Sequence, residues 1–217
     1  MSEPIQVDIQ QGYDRVAAAY ARAFIHEQDN KPMDRDMLQQ FADRVRGKGP
    51  VCDMGCGPGQ IAAYLYHHCD LKSVFGMDLS PRFVEEAAGL NPSISFRQGS
   101  MLAIDAPGDS WAGIAAFYCI IHIPHAQVVD VLKEMKRVLK PGGLLLLTYH
   151  IGCETVHIDQ WFDQQVSMDF NFFEPDEMEN YLKLAGYTTI HTTIRQPYAP
   201  EVEHQSRRAY VFAEKLL

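Results

Sequence analysis

The chain has 217 residues, 47% hydrophobic and 22% charged, which is the composition of one domain with a sizeable core. Its longest purely aliphatic run is Leu144 to Leu147, far short of the roughly 20 residues a membrane helix needs. The formal charge of -9 and the absence of any run of five basic residues argue against a nucleic-acid or anionic-membrane partner and favour a small neutral or cationic one.

Between residues 7 and 26 the apolar positions Tyr13, Val16, Ala17, Tyr20 and Phe24 recur at helical spacing, and Met37, Leu38, Phe41 and Val45 repeat the pattern after Pro32. Two helices therefore precede the main fold. Short apolar runs then alternate with helical stretches: a strand over 50–54, a helix through Ile61 and Leu65, a strand over 73–77, a helix opened by Pro81, and a strand over 94–98. A fourth strand, 113–118, leads to a helix with Val128, Leu132, Met135 and Leu139 on one face, after which Pro141-Gly142-Gly143 is expected to turn the chain into a fifth strand over 144–149. This alternation predicts a parallel sheet covered on both faces. The end departs from it. Residues 151–173 read as a loop, 175–185 as a helix, and 187–194 and 208–213 as two successive strands, which implies an antiparallel edge. With no repeat and no low-complexity linker, residues 1–217 are expected to form one domain. Cys52, Cys56, Cys69, Cys119 and Cys153 contain no CxxC pair, so reduced thiols are expected, and the opening Met-Ser-Glu-Pro lacks a basic-then-apolar leader, so the cytoplasm is the expected compartment.

The most informative segment is Val51-Cys52-Asp53-Met54-Gly55-Cys56-Gly57-Pro58-Gly59-Gln60, where the first strand passes into a helix. Alternate glycines let the backbone turn sharply and approach a ligand, and the helix N-terminus offers unpaired N–H groups. A dinucleotide fingerprint would need glycine at position 60; the spacing here is DxGxGxG. Asp53, just before the turn, favours a ligand bearing positive charge, such as an amine or sulfonium. Asp78, 19 residues after Gly59, stands where a carboxylate accepts hydrogen bonds from a ribose diol.

Over residues 50–150 the chain resembles the class I S-adenosylmethionine-dependent methyltransferases of the small-molecule branch, through VCDMGCGPGQ, GMDLS, FRQGSML, IAAFYCIIHIP and RVLKPGGLLLLTYH. The resemblance implies an α/β fold: a doubly wound, seven-stranded Rossmann-like sheet of order 3-2-1-4-5-7-6, strand 7 antiparallel, here with two extra N-terminal helices. It implies S-adenosylmethionine as cofactor. Asp53, Gly55, Cys56 and Gly57 would hold its methionine portion, Asp78 and Leu79 its ribose, Ser100 and Met101 its adenine, and Tyr118 would stand beside it. Residues 1–48 would form a helical lid, 49–150 the cofactor-binding core, and 151–217 the acceptor side. Ala112 and Ser100 replace aspartates common among relatives.

Methyl transfer is an in-line displacement that depends on positioning, and a base matters only if the acceptor must lose a proton. Tyr13 and Tyr20, seven residues apart on one helical face, are candidates to close over the cofactor, and tyrosine faces attract a cationic centre. His122 and His150 follow the fourth and fifth strands at the carboxyl edge and are, with Tyr20, the candidate catalytic residues. Glu154, His157 and Asp159 lie near His150 in sequence, but no helical pair forms there and no metal is assigned. The aromatic stretch from His157 to Phe173 is expected to wall the acceptor. Arg195, Tyr198, Glu201, Glu203, His204, Arg207 and Arg208 read as surface polar residues. The expected function is methyl transfer to a small organic acceptor, with no nucleic acid or membrane involved; the alternatives are a nucleic-acid or protein methyltransferase and a non-catalytic cofactor-binding module.

Overall fold

The computed structural model describes residues 3–216. Two helices come first, α1 (Glu3–Phe24) and α2 (Pro32–Val45). Strands and helices then alternate as β1 (Val51–Met54), α3 (Gln60–His67), β2 (Val74–Asp78), α4 (Pro81–Leu90), β3 (Ser95–Gln98), β4 (Trp111–Phe117), α5 (Val128–Val138) and β5 (Leu139–His150). The chain continues through β6 (Thr155–Trp161), β7 (Gln164–Asn171), α6 (Pro175–Leu184), β8 (Thr188–Arg195) and β9 (Arg208–Glu214). Seven strands join in the order β3-β2-β1-β4-β5-β9-β8, while β6 and β7 pair with each other. With that hairpin set aside, β8 and β9 are the sixth and seventh strands and the order is the expected 3-2-1-4-5-7-6. The pairings among β1 to β5 are parallel, and β9 runs antiparallel to both its neighbours.

Every residue of β1 and β4 is buried, as strands covered on both faces require. One face packs Leu38, Phe41, Ile61 and Leu65 from α2 and α3. The other packs Leu132 and Met135 of α5 with Met178 and Leu182 of α6. The small side chains of β4 let α2 come close: a Cβ added to Gly113 would lie 2.7 Å from Phe41 Cζ and 2.9 Å from Val45 Cγ1. Helix α2 is thus part of the core, and of the two leading helices only α1 leaves the sheet, lying instead against α4 and β7. A lid role for residues 1–48 narrows to α1.

Two local expectations are corrected. Residues 151–173 hold a β-hairpin where the sequence read as a loop. Val156 faces Phe170 and Ile158 faces Met168 across it, and its two turn residues, Phe162 (φ 47°) and Asp163 (φ 60°), take the left-handed conformations of a tight two-residue connection. The alternation was present in Val166, Met168 and Phe170, but no Asn-Gly or Asp-Gly marks the turn. Likewise Pro141-Gly142-Gly143 lies inside β5, which begins at Leu139 opposite Trp111 and absorbs a register shift before Gly113 pairs with Leu144.

Because Gly113 is the point where sheet and α2 meet, Gly113→Ala should destabilise the protein by about 1–3 kcal/mol in urea unfolding. An unchanged midpoint would mean that α2 lifts from the sheet at no cost and is not core.

Candidate functional site

The turn after β1 is tied to the end of β2, since the Gly55 and Cys56 N–H groups donate to the Met77 carbonyl at 2.7 and 3.1 Å. Gly55 has φ 66°, and a Cβ there would sit 2.4 Å from Cys119 Cβ, so no other residue fits. Gly57 has φ 50°, and its missing Cβ would meet nothing nearer than Gln60 Oε1 at 3.9 Å, so its backbone is bare toward the cleft. The Asp78 carboxylate accepts from Gly57 N–H at 2.8 Å and Ser80 N–H at 2.9 Å. Burial pushes its pKa up to about 6, against the pull of those two donors.

Gly55, Cys56, Gly57, Asp78, Leu79, Ser100, Met101, Tyr118, Tyr13, Tyr20 and His122 line one cleft over the carboxyl edge of the sheet. Asp53 does not. It is 1% exposed beneath the turn, where Oδ2 accepts from the Ala62 N–H of α3 at 2.9 Å and Oδ1 has no partner among the described residues. Burial raises its pKa to about 8, so it supports the turn and does not face a cationic ligand. The sequence reading missed Glu27 and Gln60, which also line the cleft. Gln60 donates to Glu27 at 3.0 Å, and its buried Oε1 has no partner among the described residues. Glu27 had no signal, standing in a short turn between two helices, whereas Gln60 follows the glycine turn directly.

His122 joins three elements. Its Nδ1 lies 3.1 Å from the Asp169 carbonyl of β7, an acceptor only, so Nδ1 carries the hydrogen; Nε2 then accepts from the Tyr13 hydroxyl at 2.6 Å. Burial drives its pKa down to about 4, which keeps the ring neutral, and burial also holds the Tyr13 hydroxyl well above its usual range. Around this joint the rings cluster: Tyr13 and Tyr20 are each 5.3 Å from Phe83, and 6.0 and 5.4 Å from Trp161.

A second chamber opens beyond Tyr13, Tyr20, Glu27 and Tyr118, which line both spaces. Its wall is the hairpin, with Val156, Ile158, Trp161 and Phe170, and its far end holds Lys31, His150, Glu203, His204 and Arg208. His150 belongs to this chamber and not to the first cleft. It stacks on Phe172 at 4.9 Å and meets Ser206 Oγ at 2.7 Å, and burial, then Arg208, His204 and Lys31, push its pKa down to about 2. His157 stands apart, on the exposed face of β6 between Asp159 and Asp169. Among the described residues no group of three or more His, Cys, Asp and Glu side chains is arranged to hold a metal ion, and no helix is long and apolar enough to cross a membrane.

A parallel sheet with an antiparallel seventh strand, bearing a glycine turn after β1 and an acid at the end of β2, defines a class of protein, and residues 51–143 match the family model described as a methyltransferase domain. That match takes in 93 of the 217 residues, and over it the chain is similar to methyltransferases. It is similar to the malonyl-[acyl-carrier protein] O-methyltransferase of Enterobacter lignolyticus, 29% identical over 140 residues, a match covering 61% of this chain and 52% of that protein. The match thus spans about half the length of that relative. Among solved structures, a DhpI–SAH complex aligns over 100% of this chain and 99% of that one, with TM-score 0.73 and 18% identity. The [4+2]-cyclase SpnF aligns over 84% and 81%, with TM-score 0.65 and 18% identity. These two likenesses concern the fold.

Asp53 gives the site a pH signature. In the unfolded chain its carboxyl ionises near pH 4, and in the folded protein near pH 8, so between these values the folded state holds a proton the unfolded state has lost. Its contribution to stability is full below about pH 4 and is lost as the pH rises toward 8. Asp53→Asn removes this titration, so relative to the variant the parent should be less stable at pH 8 than at pH 5 in urea unfolding. A difference independent of pH would show that Asp53 ionises as an exposed carboxylate does.

Proposed function

We propose that the protein transfers a methyl group from S-adenosylmethionine to a small organic acceptor, leaving S-adenosylhomocysteine. The observation that supports this most is the meeting of two spaces at Tyr13, Tyr20 and Tyr118: a cleft with the features of a nucleoside–amino-acid site, and an apolar chamber beside it. The cleft suits the cofactor in three particulars. Gly57 presents bare backbone, Asp78 has lone pairs left over for a diol after its two backbone bonds, and the orphan Gln60 Oε1 awaits a donor such as an ammonium group.

When bound, S-adenosylmethionine supplies an electrophilic methyl on a sulfonium. In this reading the Gly55–Gly57 backbone and Gln60 hold the methionine portion, Asp78 and Leu79 the ribose, and Ser100 and Met101 the adenine. Tyr13, Tyr20 and Tyr118 set ring faces beside the positive centre and exclude water from the line of attack. Helix α1 is the lid. His122 positions Tyr13, since its Nε2 lone pair is already engaged, and His150 borders the acceptor. The cyclase neighbour is a reminder that this fold alone does not fix group transfer, so binding and turnover must be read separately.

Titration calorimetry should show S-adenosylhomocysteine binding and NAD not binding. Asp78→Ala should weaken that binding by about 1.5–3 kcal/mol, the worth of hydrogen bonds to a charged group. Binding as tight as the parent's would remove Asp78 from the ribose site.

A further inference from the structure

We infer that the methyl acceptor is an ionised oxyacid with an apolar body, its anionic oxygen held beside Tyr118 by Lys31 and Arg208 and itself taking the methyl group. This rests on the methyl-transfer reading above and adds the acceptor's chemistry to it.

The Lys31 ammonium lies 5.9 Å and the Arg208 guanidinium 5.5 Å from the centre of the Tyr118 ring, the residue shared by cleft and chamber. Both cations are buried, at 6% and 3% exposure, where a charge costs free energy unless it is matched. Lys31 bonds Glu27 at 2.5 Å, and one carboxylate oxygen leaves an ammonium with three donors incompletely used. Arg208 is less well matched. Its hydrogen bonds go to the Ser206 carbonyl at 2.7 Å, the Ser206 hydroxyl and the His204 carbonyl at 2.8 Å. The nearest carboxylate, Glu203, is 3.7 Å away and is engaged by both terminal nitrogens of Arg195 and by the Tyr198 N–H, while Asp34 stands behind Arg195 at 3.4 Å. Glu27 and Glu203 line the same chamber and pair with Lys31 and Arg208, yet each cation keeps N–H donors beyond those bonds, in a chamber whose opposite wall is aliphatic and aromatic.

Buried bases here are already engaged, and the histidine left over, His204, stands exposed at the chamber's end. His122 has both ring nitrogens engaged, one by Tyr13 and one by Asp169, and Glu27 and Glu203 are held by cations and amides. An alcohol or an ammonium would have to shed a proton before it could attack. An ionised acid brings its lone pair ready. Burial, and after it Arg208, His204 and Lys31, lowers the basicity of His150. The step balances without any proton movement: an oxygen lone pair forms the bond to the methyl carbon and the carbon–sulfur bond breaks with its electrons going to sulfur, so the sulfonium becomes a neutral thioether while a carboxylate becomes a neutral ester and a phosphonate dianion a monoanionic one. Loss of charge on the acceptor weakens its hold on Lys31 and Arg208, which favours release.

Four probes with one apolar body test this: octanoate, octylphosphonate, octanol and octylamine. Each is titrated into protein saturated with S-adenosylhomocysteine, and each is incubated with S-adenosylmethionine and analysed by mass spectrometry. One or both anions should bind and yield methyl esters, the two anions telling carboxylate from phosphonate recognition, while the alcohol and amine do neither. Lys31→Met and the milder Arg208→Lys should each weaken anion binding ~10-fold or more, with S-adenosylhomocysteine binding as the check that the variant is folded. Methylation of octanol or octylamine, anion binding undiminished in both variants, or binding of none of the four by protein that holds S-adenosylhomocysteine would overturn the oxyacid assignment and leave the cofactor reading standing. Failure to bind S-adenosylhomocysteine would instead overturn the reading on which it rests.

Discussion

One imidazole holds the upper half of this molecule together. His122 follows β4, accepts a hydrogen bond from Tyr13 of α1 and donates one to the backbone of β7, so sheet edge, lid and hairpin meet at a single neutral ring. The other polar tie of α1 to the sheet side is Asp14, which receives the Ser80 hydroxyl at 2.5 Å at the start of α4. Between these two anchors the rings of Tyr13 and Tyr20 roof the cleft. A buried histidine whose pKa is pushed to about 4 is poorly suited to taking a proton near neutrality and well suited to being a fixed strut. The division of the interior into cleft and chamber depends on that strut, because Tyr13 lines both.

The chain's net charge and its local charge tell different stories. A formal -9 describes the surface seen by a distant polyanion, and on that scale it disfavours nucleic acid. Inside the chamber the relevant distances are a few ångströms, too short for solvent ions to screen, and there Lys31 and Arg208 flank Tyr118. The net charge therefore does not describe the chamber, which sets Lys31 and Arg208 beside Glu27 and Glu203.

The sheet was legible because its central strands are short apolar runs bounded by a turn or a helix of clear period, and the glycine turn was legible because backbone approach leaves a glycine at each bare position. Asp53 and Asp78 show where such reading stops. Both are acids near the carboxyl ends of neighbouring strands, yet Asp53 pairs in register with Gly76, so Asp78 stands two positions further along and reaches the cleft while Asp53 stays under α3, a difference in depth that spacing alone does not reveal. The hairpin hid because its two-residue turn is Phe162-Asp163, with no glycine or asparagine to mark it. The chamber's cations hid for a simpler reason: Lys31 comes from the turn before α2 and Arg208 from the start of β9, far apart in sequence and without periodicity to link them, so Arg208 read as one more surface charge.

In the proposed reading the cofactor's sulfur stands where cleft and chamber meet, and a crystal structure with S-adenosylhomocysteine bound tests this. The ribose should lie on Asp78, the adenine beside Ser100 and Met101, and the sulfur among Tyr13, Tyr20 and Tyr118 with the chamber beyond it. A ligand lying with its adenine in the chamber, or with its sulfur turned toward Ser100 and away from Tyr118, would contradict it.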